Sequence, residues 1–207
     1  MSFYFSETNA SFSNDNAHNN SKSKNNNGIH FECNLETKQC LAISEKTGLR
    51  CKRQTRAMLP YCWQHTRSKY GVKPGPSKIP NAGKGLYAMK KFKANDRVVP
   101  YDGEIVTKET LQQRYGDYTA PYALELSKST NRNVDAACSR GIGSYTNHKI
   151  RPQSNSKFTV YKGRAGFIKA TKQIKPGDEI YVSYGNNYHF NEPTQFETKR
   201  TPNKKLS

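Results

Sequence analysis

Short runs of apolar residues, several of them alternating with polar ones and separated by turn-forming residues, dominate the chain from residue 81 onward. Runs of four to eight residues rich in Val, Ile, Leu and Tyr are typical of β-strands. The pattern lacks the alternation of strands and helices found in dinucleotide-binding folds, so it predicts a mainly β domain with few helices. We predict strands at Leu86–Met89, Arg97–Tyr101, Glu104–Thr107, Tyr122–Leu126, Asn133–Ala136, Phe158–Tyr161, Gly166–Ala170 and Glu179–Tyr184.

Three other stretches depart from the strand pattern. Lys108–Tyr115 is the one stretch with helical character, and Thr107 before it suits the N-cap position. Val72–Pro80 is rich in proline and glycine, which predicts a linker or the entry to the next domain. Residues 1–29 are dominated by Asn and Ser with few apolar anchors, so we expect them to be disordered.

These shifts in pattern divide the chain into five predicted parts. We expect a disordered tail, a small cysteine-rich module, a linker, the β domain and a C-terminal segment that ends in a basic tail. Their predicted bounds are residues 1–29, 30–70, 71–80, 81–188 and 189–207.

The composition indicates attraction to acidic partners. The net charge is +18 and the pI is about 9.7, with 34 Lys and Arg against 16 Asp and Glu. Nucleic acid and acidic proteins are the candidate partners, and a solvated basic surface is the alternative. No run of about 18 apolar residues is present, so we expect no membrane span. The N-terminus lacks the features of a secretory signal, which predicts an intracellular protein, nuclear or cytoplasmic.

Four of the five cysteines lie within residues 33–62, and a histidine follows them. An odd number crowded toward one end favours metal binding in a reducing compartment over disulfides. Cys62 and His65 are three positions apart, so one turn of the chain can direct both at one ion. With Cys40 and Cys51 they form a Cys₃His set that suits tetrahedral Zn²⁺. Two alternatives stay open: Cys33 replaces one ligand, or the thiols only pack in a core.

Two local resemblances add to this interpretation. The cysteine-rich segment is similar to small Cys₃His modules of the form Cys-x-Ala-x-Thr-x-x-Gly-x-x-Cys-Lys-Arg followed by Tyr-Cys-x-x-His. Four motifs of the β domain, in order, resemble the signature of the SET-domain protein-lysine methyltransferases. They are Gly83-Lys84-Gly85-Leu86-Tyr87-Ala88, Tyr101-Asp102-Gly103-Glu104-Ile105-Val106, Ser144-Tyr145-Thr146-Asn147-His148 and Gly177-Asp178-Glu179-Ile180-Tyr181-Val182-Ser183-Tyr184-Gly185.

The SET resemblance implies a fold of several small curved sheets around a knot-like thread, and it implies an enzyme. Its members transfer methyl groups from S-adenosylmethionine to lysine side chains, with histone tails as the first substrate class to test. The resemblance implies a catalytic role for Tyr184 and Tyr101. It implies cofactor-binding roles for six residues, which are Lys84, Gly85, Leu86, Asn147, His148 and Tyr184.

The same resemblance implies a substrate channel lined by Tyr101, Phe158 and Tyr188. Phe158 falls where relatives place Tyr or Phe, and Phe there implies di- or trimethyl-lysine as product. The cysteine-rich segment that follows many SET domains is missing, because no Cys follows Cys138. Tyr188, Phe190 and Phe196 are therefore candidates to close the channel. A core strand is the alternative role for Phe158.

Two departures separate the chain from the SET signature. The dipeptide Asn147-His148 is followed by Lys149-Ile150-Arg151-Pro152-Gln153-Ser154-Asn155 instead of Ser-Cys-x-Pro-Asn, so we align Asn155 with the last Asn of that motif. Ser144 stands where relatives carry Arg. The rival hypothesis is a non-catalytic, zinc-containing binder of chromatin or nucleic acid with a degenerate SET fold.

Overall fold

The computed structural model describes residues 20–24, 30–34, 37–55, 59–116 and 120–185, the first two ranges by their backbone only. Two α-helices occur in these ranges, α1 at Trp63–Tyr70 and α2 at Lys108–Tyr115, with a short 3₁₀ helix at Ile142–Tyr145. Fourteen strands accompany them in the same ranges. They are β1 Asn20–Lys24, β2 His30–Asn34, β3 Lys38–Gln39, β4 Gln54–Thr55, β5 Val72–Pro76, β6 Lys84–Ala88, β7 Arg97–Tyr101, β8 Glu104–Val106, β9 Ala123–Ser127, β10 Arg132–Asp135, β11 Asn147–His148, β12 Ser156–Tyr161, β13 Ala165–Ala170 and β14 Glu179–Val182.

Two sheets form most of the β domain, which confirms the prediction of a mainly β fold. The larger sheet has seven strands in the order β5-β6-β14-β12-β13-β7, with β11 paired to β14 off this path. The smaller sheet has the order β8-β10-β9. One apolar core joins them, because Leu86, Ile168 and Ile180 from the larger sheet and Val134 from the smaller are all buried in one cluster. The two sheets therefore share one core.

Strand β5 replaces the linker that the prolines of this segment predict. Val72–Pro76 pairs with β6 along its whole length, from Val72 opposite Ala88 to Pro76 opposite Lys84. Proline is tolerated in a strand when that strand lies at the edge of a sheet, because its missing N–H then faces away from the ladder. β5 is such an edge strand. The segment is thus part of the β domain's main sheet.

The other predicted elements agree with the structure to different degrees. β7 and α2 have the predicted bounds, and the Thr107 hydroxyl caps α2 by accepting from the Thr110 N–H at 3.2 Å. β14 ends at Val182, two residues before its predicted end at Tyr184. Helix α1 was not predicted. Its sequence is mostly polar, and only Thr66 is buried, so it lacks the apolar periodicity that would have marked it.

The termini extend beyond the part of the chain that the structure describes. β1 lies within the segment that composition predicts to be disordered, and it pairs with β2. The rest of that segment and residues 186–207 lie outside the described residues. Apart from residues 71–80, which include β5, the five-part division of the chain stays a prediction. Within the described ranges, neither helix has the length and apolar character needed to cross a membrane.

Candidate active site and metal centre

On one side of strand β14 the paired strand changes from β6 to β11 halfway along, and the candidate site lies where this change occurs. Its first two residues pair antiparallel with β6, as Glu179 opposite Tyr87 and Ile180 opposite Leu86. Its last two residues pair parallel with β11, as Tyr181 opposite Asn147 and Val182 opposite His148. The start of β6 and the whole of β11 therefore lie next to each other, and we call this place the β6–β11 junction.

The side chain of Asn147 bridges the junction. It is buried, and its Nδ2 atom lies 3.1 Å from the Lys84 carbonyl oxygen, 3.0 Å from Ser77 Oγ and 3.2 Å from Glu179 Oε1. One amide group thus ties β11 to the start of β6 and to the loop after β5. The predicted cofactor-binding residues Lys84 and Asn147 are in direct contact.

The Glu179 carboxylate is the centre of the polar network behind the junction. It is only 2% exposed, and its nearest donors are Ser77 Oγ, the Lys78 N–H and the Tyr181 hydroxyl, each at 2.7 Å. The Tyr87 hydroxyl donates at 3.2 Å. Burial raises the pKa of Glu179, but the hydrogen bonds from Lys78, Ser77, Tyr181 and Asn147 outweigh it, so its pKa lies below the usual value. Hydrogen bonds alone keep this carboxylate charged, because no cation pairs with it among the described residues.

Gly85 is required by this network. A Cβ atom built on Gly85 would overlap the Glu179 carboxylate and would lie 3.2 Å from Asn147 Nδ2. The close backbone approach that the sequence predicted for Gly85 is made here to the Glu179 side chain. Leu86, the next residue, is fully buried in the core, so only its backbone faces the junction. Lys84 is exposed, and only its carbonyl belongs to the network.

Tyr184 returns to the junction just beyond the end of β14. Its hydroxyl donates to the Thr146 carbonyl at 2.8 Å, and its N–H donates to His148 Nδ1 at 3.0 Å. Burial lowers the pKa of His148 to about 4, so the ring is neutral near pH 7 and its Nδ1 can accept this bond. The Thr146 hydroxyl is buried and has no partner among the described residues. Hydrogen bonds to Tyr184 or Glu179 thus hold three consecutive residues in place, namely Thr146, Asn147 and His148.

A row of aromatic rings leads away from Tyr184. The ring centroids of Tyr184 and Phe158 are 6.0 Å apart, and those of Phe158 and Tyr101 are 5.2 Å apart at an interplanar angle of 85°. His148 lies 5.2 Å from Tyr184 at the other end. Tyr101 is 6% exposed, and its hydroxyl donates to the Tyr122 carbonyl at 3.0 Å. The predicted catalytic and channel residues within the described range therefore form one cluster, while Tyr188 lies outside that range.

Sequence reasoning assigned no role to the residues that support this cluster. Glu179 follows Asp178 in a turn motif, where an acid is ordinarily exposed, so nothing marked it as buried. Asn155 binds the β14 backbone at both ends of its amide, accepting from the Tyr181 N–H and donating to the Glu179 carbonyl, each at 2.8 Å. Ser77 and Lys78 fell in the predicted linker. The only sign in the sequence that Glu179 is buried was its position between a turn and the apolar strand residues Ile180 and Val182.

The predicted metal ligands converge in the cysteine-rich module. The ligand atoms of Cys40, Cys51, Cys62 and His65 all lie within 4.8 Å of one another. His65 Nδ1 is 3.2 Å from Cys62 Sγ and 3.4 Å from Cys40 Sγ. Tetrahedral Zn²⁺ binds sulfur at about 2.3 Å and nitrogen at about 2.0–2.1 Å, which requires ligand separations of this size. The four side chains fit one zinc ion.

Helix α1 connects this module directly to the candidate active site. Cys62 is its N-cap and His65 lies in its first turn. Gly71 ends the helix in the left-handed conformation at φ 69° and leads straight into β5, after which come Ser77 and Lys78. The Gly71 carbonyl also accepts from the Met89 N–H beyond β6 at 2.8 Å. The module is therefore attached to β5 and β6, and β6 is one of the two strands that form the junction.

Comparisons with known proteins agree with this architecture. Residues 83–185 match the sequence profile of the family described as the SET domain. Histone-lysine N-methyltransferase mes-4 of Caenorhabditis elegans is 32% identical over 128 residues, which cover 54% of this chain and 14% of that protein. A histone-lysine N-methyltransferase of Yarrowia lipolytica, described as H3 lysine-4 specific, is 30% identical over 127 residues, covering 58% of this chain and 10% of that protein.

One solved structure supports the fold alone. A crystal structure of an active polycomb repressive complex 2 in the stimulated state aligns with a TM-score of 0.50 and 24% identity. The alignment covers 58% of this chain and 16% of that one. The chain thus spans only a small part of the length of each of these relatives.

Proposed function

Because residues 83–185 form a SET domain with relatives named histone-lysine methyltransferases, we propose that this chain is a protein-lysine N-methyltransferase that uses S-adenosylmethionine. One observation carries the proposal. At the β6–β11 junction His148 contacts Tyr184, and its neighbour Asn147 contacts the backbone of Lys84 beside Gly85. These are the residues that the family signature assigns to the cofactor and to catalysis.

The junction residues suit a polar ligand with a cationic centre. When bound, S-adenosylmethionine supplies a methyl group on a sulfonium sulfur, and the sulfur keeps the electrons of the broken S–C bond. The backbone of Lys84, Gly85 and Leu86 would hold this group, together with Asn147 and His148. The Thr146 hydroxyl supports this assignment. It is buried and has no hydrogen-bond partner among the described residues, and a bound ligand or water can supply one.

Positioning and electrostatics account for the catalysis we propose. The Tyr184 oxygen and the Thr146 carbonyl, 2.8 Å apart, place two oxygen acceptors at the end of β14. Such oxygens stabilise a methyl group that carries partial positive charge. The rings of Tyr101 and Phe158 exclude water beside them, and desolvation lowers the pKa of a lysine amine. The amine can then lose its proton to solvent and attack as the free base.

The alignment of the chain with the SET signature also suggests the reaction product and the residue that closes the substrate channel. Phe158 has no hydroxyl to hold a water against the amine, so the channel leaves room for an amine that already carries methyl groups. We therefore propose di- or trimethyl-lysine as the product. Tyr188 would complete the channel from the segment after β14.

Histone tails are the substrate class we propose, and the nucleus is the corresponding location. The relatives' names support histones as a class but differ in the lysine they specify. We also propose a structural zinc ion held by Cys40, Cys51, Cys62 and His65, because the four ligand atoms are already gathered. A closed set of four protein ligands is typical of a structural zinc site and leaves no open position for catalysis.

The direct test is mass spectrometry after incubation with labelled S-adenosylmethionine. Core histones and total lysate protein are offered as substrates to the zinc-loaded chain, and Tyr184→Phe serves as the matched control. We expect label on lysine residues with the wild type and far less with the variant. Label on another residue type, or equal labelling by both proteins, would overturn the proposal.

A further inference from the structure

Helix α1 presents the chain's only tryptophan to solvent. Trp63 is the first residue of α1 and is 63% exposed, although a tryptophan gains more than most residues from burial. His65 faces the zinc ligands, and two residues correspond to about 200° around a helix. Trp63 therefore points away from the metal centre, on a helix that the metal ligands hold in place.

An open cleft of about 410 Å³ lies between this face of α1 and the turn after β6. Arg67 is one helical turn after Trp63, so both occupy the same face. Lys90 enters from the other side, and its aliphatic stem crosses Gly71, where a Cβ atom would come within 2.5 Å of it. Gln64, Ser68 and Met89 complete the lining, and none of the lining residues is acidic. One aromatic face and two cations thus share one cleft.

The surrounding module is strongly basic. Across residues 37–55 and 59–70 the only acidic side chain is Glu45. No ion pair joins any two side chains of these ranges. The seven cations of the same ranges are Lys38, Lys46, Arg50, Lys52, Arg53, Arg67 and Lys69. No acidic side chain of these ranges therefore neutralises this surface, although Arg50, Arg53 and Lys69 donate to uncharged groups of the module.

We propose that this cleft binds single-stranded nucleic acid, with a base stacked on Trp63 and the adjacent phosphates held by Arg67 and Lys90. A positively charged groove with an exposed aromatic ring is the arrangement that single strands use. A duplex keeps its bases stacked on each other and would leave the indole unused. A carboxylate-rich peptide would likewise use only the cations.

The cleft is separate from the proposed active site. Lys84 and Gly85 lie at the start of β6, whereas Met89 and Lys90 follow its opposite end. The proposal therefore does not depend on methyltransferase activity. It assigns the basic module a role in holding the chain on a nucleic acid while the β domain reaches its own substrate.

Trp63 makes the test direct, because its fluorescence has no background from another tryptophan. We would titrate the full-length, zinc-loaded chain with oligothymidylate of about 20 nucleotides, long enough to exceed a typical single-strand site. We expect saturable quenching. With a fluorescently labelled oligonucleotide, Trp63→Ala should bind about five- to 150-fold more weakly, the loss that corresponds to one stacked base. Trp63→Phe, which keeps an aromatic face, should recover much of the affinity.

Salt dependence separates stacking from charge. Arg67→Ala and Lys90→Ala should each make the negative slope of log affinity against log salt shallower by about 0.7. Trp63→Ala should leave the slope unchanged. Zinc content and circular dichroism confirm that each variant is folded. Since Trp63, Arg67 and Lys90 are all exposed, we expect these variants to keep the fold.

The chain offers a matched control at another exposed aromatic–cation pair. Tyr161 is 52% exposed, and Lys162 Nζ lies 5.4 Å from its ring centroid at the turn between β12 and β13. Tyr161→Ala and Lys162→Ala should leave the affinity and the quenching unchanged. Losses equal to those at the cleft, an absence of quenching, or duplex DNA binding that equals single-strand binding would overturn the proposal. Stronger quenching by polyglutamate would reassign the cleft to an acidic peptide.

Discussion

Replacing Glu179 by glutamine tests whether the buried carboxylate holds the candidate site together. The substitution keeps the size of the side chain but puts an NH₂ group where one oxygen was. Ser77 and Asn147 donate to Oε1, while Lys78, Tyr87 and Tyr181 donate to Oε2. Hydroxyl donors can rotate, but the Lys78 N–H and the Asn147 amide are fixed donors, one on each side. Whichever way the new amide is oriented, its NH₂ group therefore faces a fixed donor.

The size of the effect follows from that mismatch. A buried donor without an acceptor costs about 1–3 kcal/mol. This loss is smaller than the about 5–15 kcal/mol that stabilise an ordinary domain, so Glu179→Gln should still fold. It corresponds to a decrease in Tm of about 2–12 °C for a chain of this size. Because Asn147 loses its charged acceptor, we also expect weaker binding of S-adenosylmethionine.

Thermal unfolding followed by circular dichroism measures the first effect, and calorimetric titration with S-adenosylmethionine measures the second. Glu104→Gln is the control, because the Glu104 carboxylate is 47% exposed and its partner Arg114 keeps a second ion pair with Asp135 when Glu104 is replaced. Exposed ion pairs contribute about 0–1 kcal/mol. A Tm for Glu179→Gln that equals the wild-type value, or a larger decrease for Glu104→Gln, would refute the reasoning.

The pH dependence of the Tm of the wild type and of Glu179→Gln gives a second test of the role of Glu179. The pKa of Glu179 is lower in the folded chain than its usual value, so its contribution to stability is present above the unfolded pKa of about 4.3 and is lost as the pH falls below it. Glutamine does not titrate. The difference in Tm between wild type and Glu179→Gln should therefore be constant near neutral pH and shrink in acid. A difference that grows as the pH falls would contradict the assignment.

Three further predictions concern the remaining parts of the site. Tyr184→Phe should reduce turnover by about 10²–10³-fold, by analogy with other positioned polar groups, while the Tm changes little; near-normal activity in a steady-state assay would make Tyr184 structural. Phe158→Tyr should shift the product toward monomethyl-lysine, measured by mass spectrometry at matched turnover, and a wild type that makes only monomethyl-lysine would rule this out. The purified chain should contain one zinc ion, which Cys62→Ser should release; atomic absorption that finds no metal in the wild type, with all thiols reactive, would exclude the site.

Local sequence rules were sufficient for the elements whose causes are local. α2 was predicted at its observed bounds, with Thr107 at the N-cap position that it occupies in the structure. β7 was predicted because Val98 and Val99 stand between a turn and an Asp-Gly pair. The convergence of Cys40, Cys51, Cys62 and His65 followed from ligand chemistry and spacing.

The features that escaped prediction depend on contacts between distant parts of the chain. Pro74 and Pro76 argue against a strand unless that strand is known to lie at an edge, which only the full sheet reveals. Two of the donors to Glu179 come from residues 77 and 78, about a hundred positions earlier in the chain. Only the pairing of β14 with β6 brings them within reach. A buried acid of this kind cannot be identified from its neighbours in sequence.

The central claim is that the β6–β11 junction binds S-adenosylmethionine, and calorimetric titration of the zinc-loaded chain tests it most directly. We predict saturable binding of one molecule per chain that Asn147→Ala weakens strongly, because Asn147 joins Lys84, Ser77 and Glu179 there. Lys172→Ala, an exposed side chain bound only to the Pro152 carbonyl among the described residues, should bind as the wild type does. No saturable uptake by the folded wild-type chain, or equal affinity in Asn147→Ala, would contradict the claim.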